Sequence, residues 1–297
     1  MKIIVLDFGG SFIKYGLMEG NHELRMNDKT PTPLDSIDNL YASIDFIIKK
    51  LGKADGMAIS MPGAIDSDNG IVYTAGALDK ILVKGEWASV LEERYGMKVW
   101  LGNDAKCAAL AEVGYGVLSD VDDSVAIILG TAVGGAIIQN KKVLQGKHFA
   151  AGEVSNLRIN QDDPYKHSGI WALYGGKFGL RQAYQKEYET SETPSGEEIF
   201  ELANKGEEKG LNVISQYAKW IAIQLYNIQV IVDAQKIAIG GGVSAQPLLI
   251  EKINEEFDKV YNSLNTPIYR LPIVACQYRN DANLIGAYYG WMTKYQK

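Results

Sequence analysis

The chain has 297 residues, 46% apolar and 22% charged, with a formal net charge of -6. That length supports one large domain or two medium ones around a sizeable core, and the acidic balance excludes a basic footprint for nucleic acid. Backbone amides can still bind phosphate locally, so an anionic substrate is not excluded. The two cysteines, Cys107 and Cys276, form no CxxC or CxC pair; they read as buried free thiols of a reducing compartment rather than as a zinc ribbon or a disulfide framework. The apolar run Ile3–Leu6 ends at Asp7 with no small-residue cleavage site after it, and no stretch approaches the ~20 apolar residues of a membrane helix. A cytoplasmic protein with no membrane partner is expected.

In chain order, Ile3–Leu6 and Phe12–Leu17 read as two strands joined by the tight turn Gly9-Gly10-Ser11. Pro31–Asp35 is a turn-rich connection. Ile37–Leu51 carries Ile37, Leu40, Ile44, Ile47, Ile48 and Leu51 on one helical face. Gly56–Met61 predicts a buried strand ending at Pro62-Gly63, Glu86–Tyr95 a helix, Lys98–Leu101 a strand and Ala105–Tyr115 a helix. Ser119–Asp123, polar with three aspartates, marks a junction. Val125–Leu129 then begins a second hairpin, through Gly130-Thr131 and Gly134-Gly135 to Ala136–Gln139. It repeats the first about 120 residues on, as duplication of a nucleotide-binding lobe would. Helices are predicted over Gly196–Lys209, Leu211–Val232, Pro247–Tyr261 (with Ser244 as its N-cap) and Ala282–Tyr295, and strands over Lys236–Ile239 and Ile273–Cys276. Strands alternating with helices make an α/β protein.

Five segments bear on chemistry. In Asp7–Lys14 a glycine turn would expose successive backbone N–H groups to an anion. Asp7 could hold magnesium through water, and Ser11 and Lys14 could reach phosphate oxygens. The alternative is a plain hairpin with a polar turn. Leu129–Gly135 is equally ambiguous alone, but two such turns would clamp one nucleotide between two lobes. Gly240-Gly241-Gly242-Val243-Ser244-Ala245 fits a loose Gly-x-Gly-x-x-Ala pattern, yet too little βαβ sequence follows for a dinucleotide fold; a floor under adenine and ribose fits as well. Asn103-Asp104-Ala105 is a good helix cap, and equally a carboxylate at a strand's C-terminal edge, placed to take a hydroxyl proton. Ala151–Asn156 carries a loop glutamate, Glu153. The chain has no P-loop pattern, and neither a metal-spaced histidine set nor a Ser-His-Asp arrangement can be read among His22, His148 and His167.

Taken together these segments resemble the ROK family (repressors, open reading frames and sugar kinases), on the duplicated two-lobe actin-like ATPase fold, which is ribonuclease H-like. Asp7–Lys14 resembles the first phosphate turn and Ser60-Met61-Pro62-Gly63-Ala64-Ile65-Asp66 the sugar-side loop. Asn103-Asp104-Ala105 resembles the catalytic segment and Leu129–Gly135 the second turn. Gly146 through Glu153 resembles the approach to the sugar-binding glutamate, and Gly240–Ser244 the adenosine loop. The resemblance implies lobes over 1–118 and 119–281, with helix 282–297 rejoining the first, and a homodimer. It implies ATP bound by Asp7, Gly9, Gly10, Ser11, Lys14, Gly130, Thr131, Ala132, Gly134, Gly241 and Gly242, with magnesium carried by the nucleotide near Asp7. It implies Asp104 as the base for a sugar hydroxyl, that on carbon 6, with Pro62, Gly63, Asn103, Glu153 and Asn156 around the sugar.

Two departures shape the expected substrate. Most members of the resembled family continue from the glutamate as Glu-x-Gly-His and then a Cys-x-Cys-Gly-x-x-Gly-Cys zinc loop, whereas here Asn156 holds the histidine position and Gln161–His167 contains no cysteine. Structural zinc is therefore expected to be absent. The metal-free pattern resembles bacterial β-glucoside kinases, and the smaller Asn156 would leave room for a substituent at the sugar's anomeric end; glucokinase and N-acetylmannosamine kinase are the alternatives. The first turn starting by residue 7 leaves no room for a repressor's DNA-binding domain, and retention of Asp104 and both turns disfavours a non-catalytic sugar sensor. An NAD-dependent enzyme rests only on the glycine triplet.

Overall fold

Strand β1, Lys2–Phe8, grows out of the first apolar run, with Ile3–Phe8 all buried. The turn at Gly9–Ser11 returns the chain as antiparallel β2, Phe12–Glu19, which pairs in turn with β3, Glu23–Pro31. Helix α1, Ile37–Leu51, starts at Ser36, whose hydroxyl accepts from the Asn39 amide, and buries Leu40, Ile44, Ile47 and Leu51 at the predicted helical spacing. Strand β4, Gly56–Met61, lies parallel to β1 and is buried throughout, as a parallel strand covered on both faces must be. The short strands β5, Ile65–Asp66, and β6, Ile71–Val72, form a separate hairpin. Helix α2, Trp87–Tyr95, then leads to β7, Lys98–Asn103, parallel to β4, and directly into α3, Asp104–Tyr115. The first sheet has the order β3-β2-β1-β4-β7.

The second half repeats that order. Strands β8, Ser124–Leu129, β9, Val133–Gln139, and β10, Lys142–Val143, are antiparallel neighbours. Helices α4, Ala172–Gly175, α5, Lys177–Tyr188, α6, Gly196–Asn204, and α7, Glu208–Val232, follow. Strand β11, Lys236–Gly240, joins β8 in parallel; after α8, Pro247–Asn262, β12, Ile273–Ala275, adds in parallel to β11. The resulting sheet is β10-β9-β8-β11-β12, and α7 supplies much of the core packed against it. Helix α9, Ala282–Tyr295, packs instead along α3, with Gly286 set against the Cys107 carbonyl, and Trp291 donates to the Lys98 carbonyl at 3.0 Å.

The computed structural model describes residues 1–20, 22–160, 167–263 and 268–296. It divides into one unit of Met1–Gly116, Gln145–Ala151 and Asn280–Lys297, and another of Val117–Leu144 and Gly152–Arg279. The segment 161–166, on which the expected absence of a zinc loop falls, lies outside the described residues. Both cysteines are buried and neither is in a disulfide, and among the described residues no helix is long and apolar enough to cross a membrane.

Three expectations need correction, and one strand has no counterpart in the sequence reading. Strand β3 was not foreseen: it is an almost wholly exposed edge strand whose polar residues show no apolar alternation. Gly134 and Gly135 lie inside β9 rather than in the second turn, because Gly135 lets the Gly152 carbonyl and Val154 approach the strand. The helix predicted over Gly196–Lys209 ends at Asn204, and α7 begins at Glu208. Ser244 does not cap α8. Its hydroxyl donates to the Gly241 carbonyl at 2.8 Å, closing a short 3-10 turn, and the cap position is Gln246 with Pro247 after it.

Candidate active site

In the first unit, the turn between β1 and β2 leaves Gly10 and Ser11 exposed, with Gly9 and Lys14 half-buried. The Gly9 amide bonds the Phe12 carbonyl at 3.0 Å, and Thr32 braces the turn by donating its hydroxyl to the Gly9 carbonyl at 2.7 Å and its amide to the Ser11 carbonyl at 3.0 Å. Asp7 is buried at the end of β1. Burial raises its carboxyl above the ordinary value, against hydrogen bonds from Asn283 and Ser60 and the charge of Lys14. The Ser60 hydroxyl donates to Oδ1 at 2.9 Å and the Asn283 amide to the same oxygen at 3.0 Å. Both of these donors meet the same oxygen, Oδ1. A buried carboxylate beside an exposed glycine turn fits magnesium carried on a nucleotide, which keeps most of its waters. Neither Thr32 nor Asn283 was singled out from sequence; Thr32 could have been read from its place in the Pro-rich connection, whereas Asn283 comes from the far end of the chain.

The loop after β4 and the start of α3 come together in the same unit. Gly63 sits at φ 106, and a Cβ there would overlap the Thr74 carbonyl oxygen and lie 2.9 Å from the Ala75 nitrogen. Only glycine fits that backbone, so Gly63 is a geometric requirement of the loop. Asn103 caps α3, as one reading of the sequence has it, and also bonds the Gly63 loop. Its Oδ1 caps α3 by accepting the Lys106 amide at 3.1 Å, and its Nδ2 donates to the Gly63 carbonyl at 3.0 Å. Asp104 is the first residue of α3, half-buried, with Oδ1 accepting the Ala105 amide at 2.8 Å. That bond fixes the carboxylate's orientation at the C-terminal end of the parallel strands, the edge where α/β folds place their ligands. The Cys107 thiol, hydrogen-bonded to Ser60, is pushed well up by burial and has no reactive thiolate character.

In the second unit, Gly130 and Thr131 are exposed at the turn between β8 and β9, with Ala132 half-buried. The Gly130 amide bonds the Ala132 carbonyl at 3.0 Å, and the Gly130 carbonyl accepts from the Lys177 amide, the first residue of α5, also at 3.0 Å. Gly241, at φ 90, rests on the Leu129 backbone: a Cβ would overlap the Leu129 carbonyl oxygen and lie 2.9 Å from its nitrogen. The glycine triplet and the second turn are therefore neighbours at the C-terminal ends of β11 and β8. Glu153 and Asn156 are exposed on the loop after Gly152, with Glu153 immediately preceding the 3-10 turn Val154–Asn156. The Glu153 carbonyl accepts the Asn156 amide at 3.2 Å, and the Asn156 side chain donates to the Ser155 hydroxyl at 3.3 Å. Among the described residues no cluster of three His, Cys, Asp or Glu is arranged to hold a metal.

Two sheets of identical order, each with a glycine turn after its first strand, define the actin-like ATPase fold seen in ROK sugar kinases of known structure. The chain belongs to the ROK family, whose profile matches residues 3–294. It is 28% identical over 298 residues to a beta-glucoside kinase of Listeria monocytogenes serovar 1/2a (strain ATCC BAA-679 / EGD-e), covering 98% of each chain. It is also 28% identical over 300 residues to an N-acetyl-D-glucosamine kinase of Escherichia coli O1:K1 / APEC, covering 93% of this chain and 94% of that one. Among solved structures, a ROK family protein from Streptococcus pneumoniae TIGR4 in complex with sucrose matches with a TM-score of 0.87 at 25% identity, over 99% of both chains. A ROK family glucokinase from Streptomyces griseus, in complex with glucose and AMPPNP, matches with a TM-score of 0.80 at 22% identity, over 97% of this chain and 98% of that one.

Proposed function

We propose that this chain transfers the γ-phosphoryl group of ATP to the 6-hydroxyl of a hexose or hexoside, with a β-glucoside as its substrate. It is a carbohydrate kinase of the ROK family: the profile spans the chain, and the curated relatives named above are kinases. The observation that carries the reaction is the pair at the start of α3, where Asn103 is bonded to the Gly63 loop and Asp104 is held by the Ala105 amide. Asp104 takes the proton of the attacking hydroxyl. Pro62, Gly63, Asn103, Glu153 and Asn156 hold the sugar ring. Asp7, Gly9, Gly10, Ser11 and Lys14 of the first turn, Gly130, Thr131, Ala132 and Gly134 of the second hairpin, and Gly241 and Gly242 bind ATP. Backbone amides at the turns orient the phosphates, and alignment with charge neutralisation supplies most of what phosphoryl transfer needs. Asp7 would hold magnesium, bound with ATP, through water, and the ion would supply part of that neutralisation. The enzyme works in the cytoplasm as a homodimer.

The β-glucoside assignment is supported by the beta-glucoside kinase relative, similar over its whole length, and by Asn156 where the family's histidine is expected. An ATP-consumption assay with magnesium over cellobiose, glucose, N-acetylmannosamine, N-acetylglucosamine and fructose tests it. Cellobiose is expected to be phosphorylated at least as efficiently as glucose. A tenfold preference for glucose would overturn the substrate assignment, and ATP consumption with none of these sugars would overturn the reading altogether.

A further inference from the structure

Lys106 lies on the first turn of α3, two residues beyond Asp104, and is 3% exposed. An ammonium leaves water only where acceptors replace its hydration. Among its bonds, Nζ donates to Gln145 Oε1 at 3.0 Å and to the Phe149 carbonyl at 3.1 Å. Both acceptors belong to the segment 145–151, which runs directly into Gly152 and Glu153. That segment has little else to order it. Gly146, Lys147, His148 and Ala150 are exposed, and its internal bonds are Phe149 N–H to the Gly146 carbonyl and Ala151 N–H to the Gln145 carbonyl, each at 3.3 Å. A short, mostly exposed segment burying so little apolar surface stays ordered only if it is tied down.

The tie leads back to the sugar-side loop. The Phe149 ring stacks on Tyr73 with centroids 5.0 Å apart and planes at 22°. The Tyr73 amide donates to the Ala64 carbonyl at 2.9 Å, and the Ala64 amide to the Thr74 hydroxyl at 2.9 Å. Gly63, next to Ala64, accepts from Asn103, and α3 carries the chain from Asn103 to Lys106. The contacts thus close a circuit: α3 to the Gly63 loop, that loop to Tyr73, Tyr73 to Phe149, and Phe149 to Lys106.

We infer that Lys106 is a positioning residue for sugar binding. Its ammonium holds segment 145–151 folded against Tyr73 before the sugar arrives, so that affinity for the sugar, and not for ATP, depends on it. The kinetic half of this statement rests on the sugar-kinase reading; the ordering half does not.

The test uses the full-length chain with Lys106→Met, which keeps the side-chain length and removes the donors, and with Gln145→Leu, which removes one acceptor. In ligand-free protein, hydrogen exchange of the amides in 145–151 should be at least about tenfold faster in Lys106→Met, with β4 and the rest of α3 unchanged. The KM for the sugar should rise about tenfold or more, while the KM for ATP stays within about twofold. Gln145→Leu should shift both readouts in the same direction by less, and the double variant should add little to Lys106→Met. Unchanged exchange in 145–151 would overturn the inference, as would faster exchange with an unchanged sugar KM. A parallel rise in both KM values would reduce Lys106 to a general core residue. Should Lys106→Met fail to fold, Gln145→Leu decides by the same two readouts. If the wild-type chain phosphorylates no sugar, the kinase reading falls, and the exchange data still decide whether Lys106 orders the segment.

Discussion

Replacing Gly63 by alanine should separate sugar binding from nucleotide binding. Gly63 holds φ 106, and an added Cβ would overlap the Thr74 carbonyl oxygen, with the Thr74 carbonyl carbon 2.5 Å away and the Ala75 nitrogen 2.9 Å away. All three are backbone atoms, so no side chain can swing aside to relieve the contact. A non-glycine residue in such a region costs about 1–3 kcal/mol where the surroundings hold it. If the loop moves instead, the 3.0 Å bond from Asn103 Nδ2 to the Gly63 carbonyl is lost, at about 1 kcal/mol. The expected destabilisation is about 2–4 kcal/mol, a large share of the ~5–15 kcal/mol that holds a typical domain. Urea unfolding of the variant should show a lower midpoint at an unchanged m-value. In the folded variant the KM for the sugar should rise at least about tenfold, because Asn103 loses its partner beside Asp104, while the KM for ATP stays within about twofold. A Gly63→Ala protein with the wild-type midpoint and wild-type sugar KM would refute this reasoning.

Gly241→Ala should act in the complementary sense: its methyl would strike the Leu129 backbone where the second turn begins, so the KM for ATP should rise about tenfold or more, and fluorescence titration with an ATP analogue would detect it. Asp7 gives a pH-dependent prediction. Its carboxyl is raised by burial, so the native state keeps a proton at pH values where the unfolded chain has already lost it. Stability therefore falls as pH rises from the ordinary carboxylate value through the raised one, and the cost is complete above that window. Asp7→Asn should raise the Tm at pH 7, with the gain shrinking as pH falls toward 4, and should weaken magnesium-ATP binding about tenfold or more; calorimetry across pH together with an ATP titration would measure both.

Much of the framework can be read from sequence because its signals are local. Ile37–Leu51, Gly56–Met61 and Ala282–Tyr295 appear as helix, strand and helix with the expected bounds, since burial imposes its period directly on the residues. The two apolar-glycine-apolar hairpins likewise foretold two sheets of the same order. What escaped the sequence depends on distant partners. β3 has no apolar period of its own and exists by pairing with β2. Gly135 resembles a turn residue, and only the approach of Gly152 explains it inside a strand. Asn103 could be read as a cap or as a ligand-side amide, and the structure shows a residue with two faces, capping α3 while gripping Gly63. Lys106 and Asn283 gave no sequence signal, because their partners lie 39 and 276 residues away.

The role of Asp104 is tested most directly by steady-state kinetics of Asp104→Asn on the sugar that the wild-type enzyme phosphorylates best, with circular dichroism and Tm confirming the fold. In its proposed role as acceptor of the hydroxyl proton, Asp104 is needed for turnover more than for binding. The kcat should fall about 10²-fold or more while the KM for the sugar changes only a few-fold. A folded Asp104→Asn enzyme with near-normal kcat would contradict the assignment.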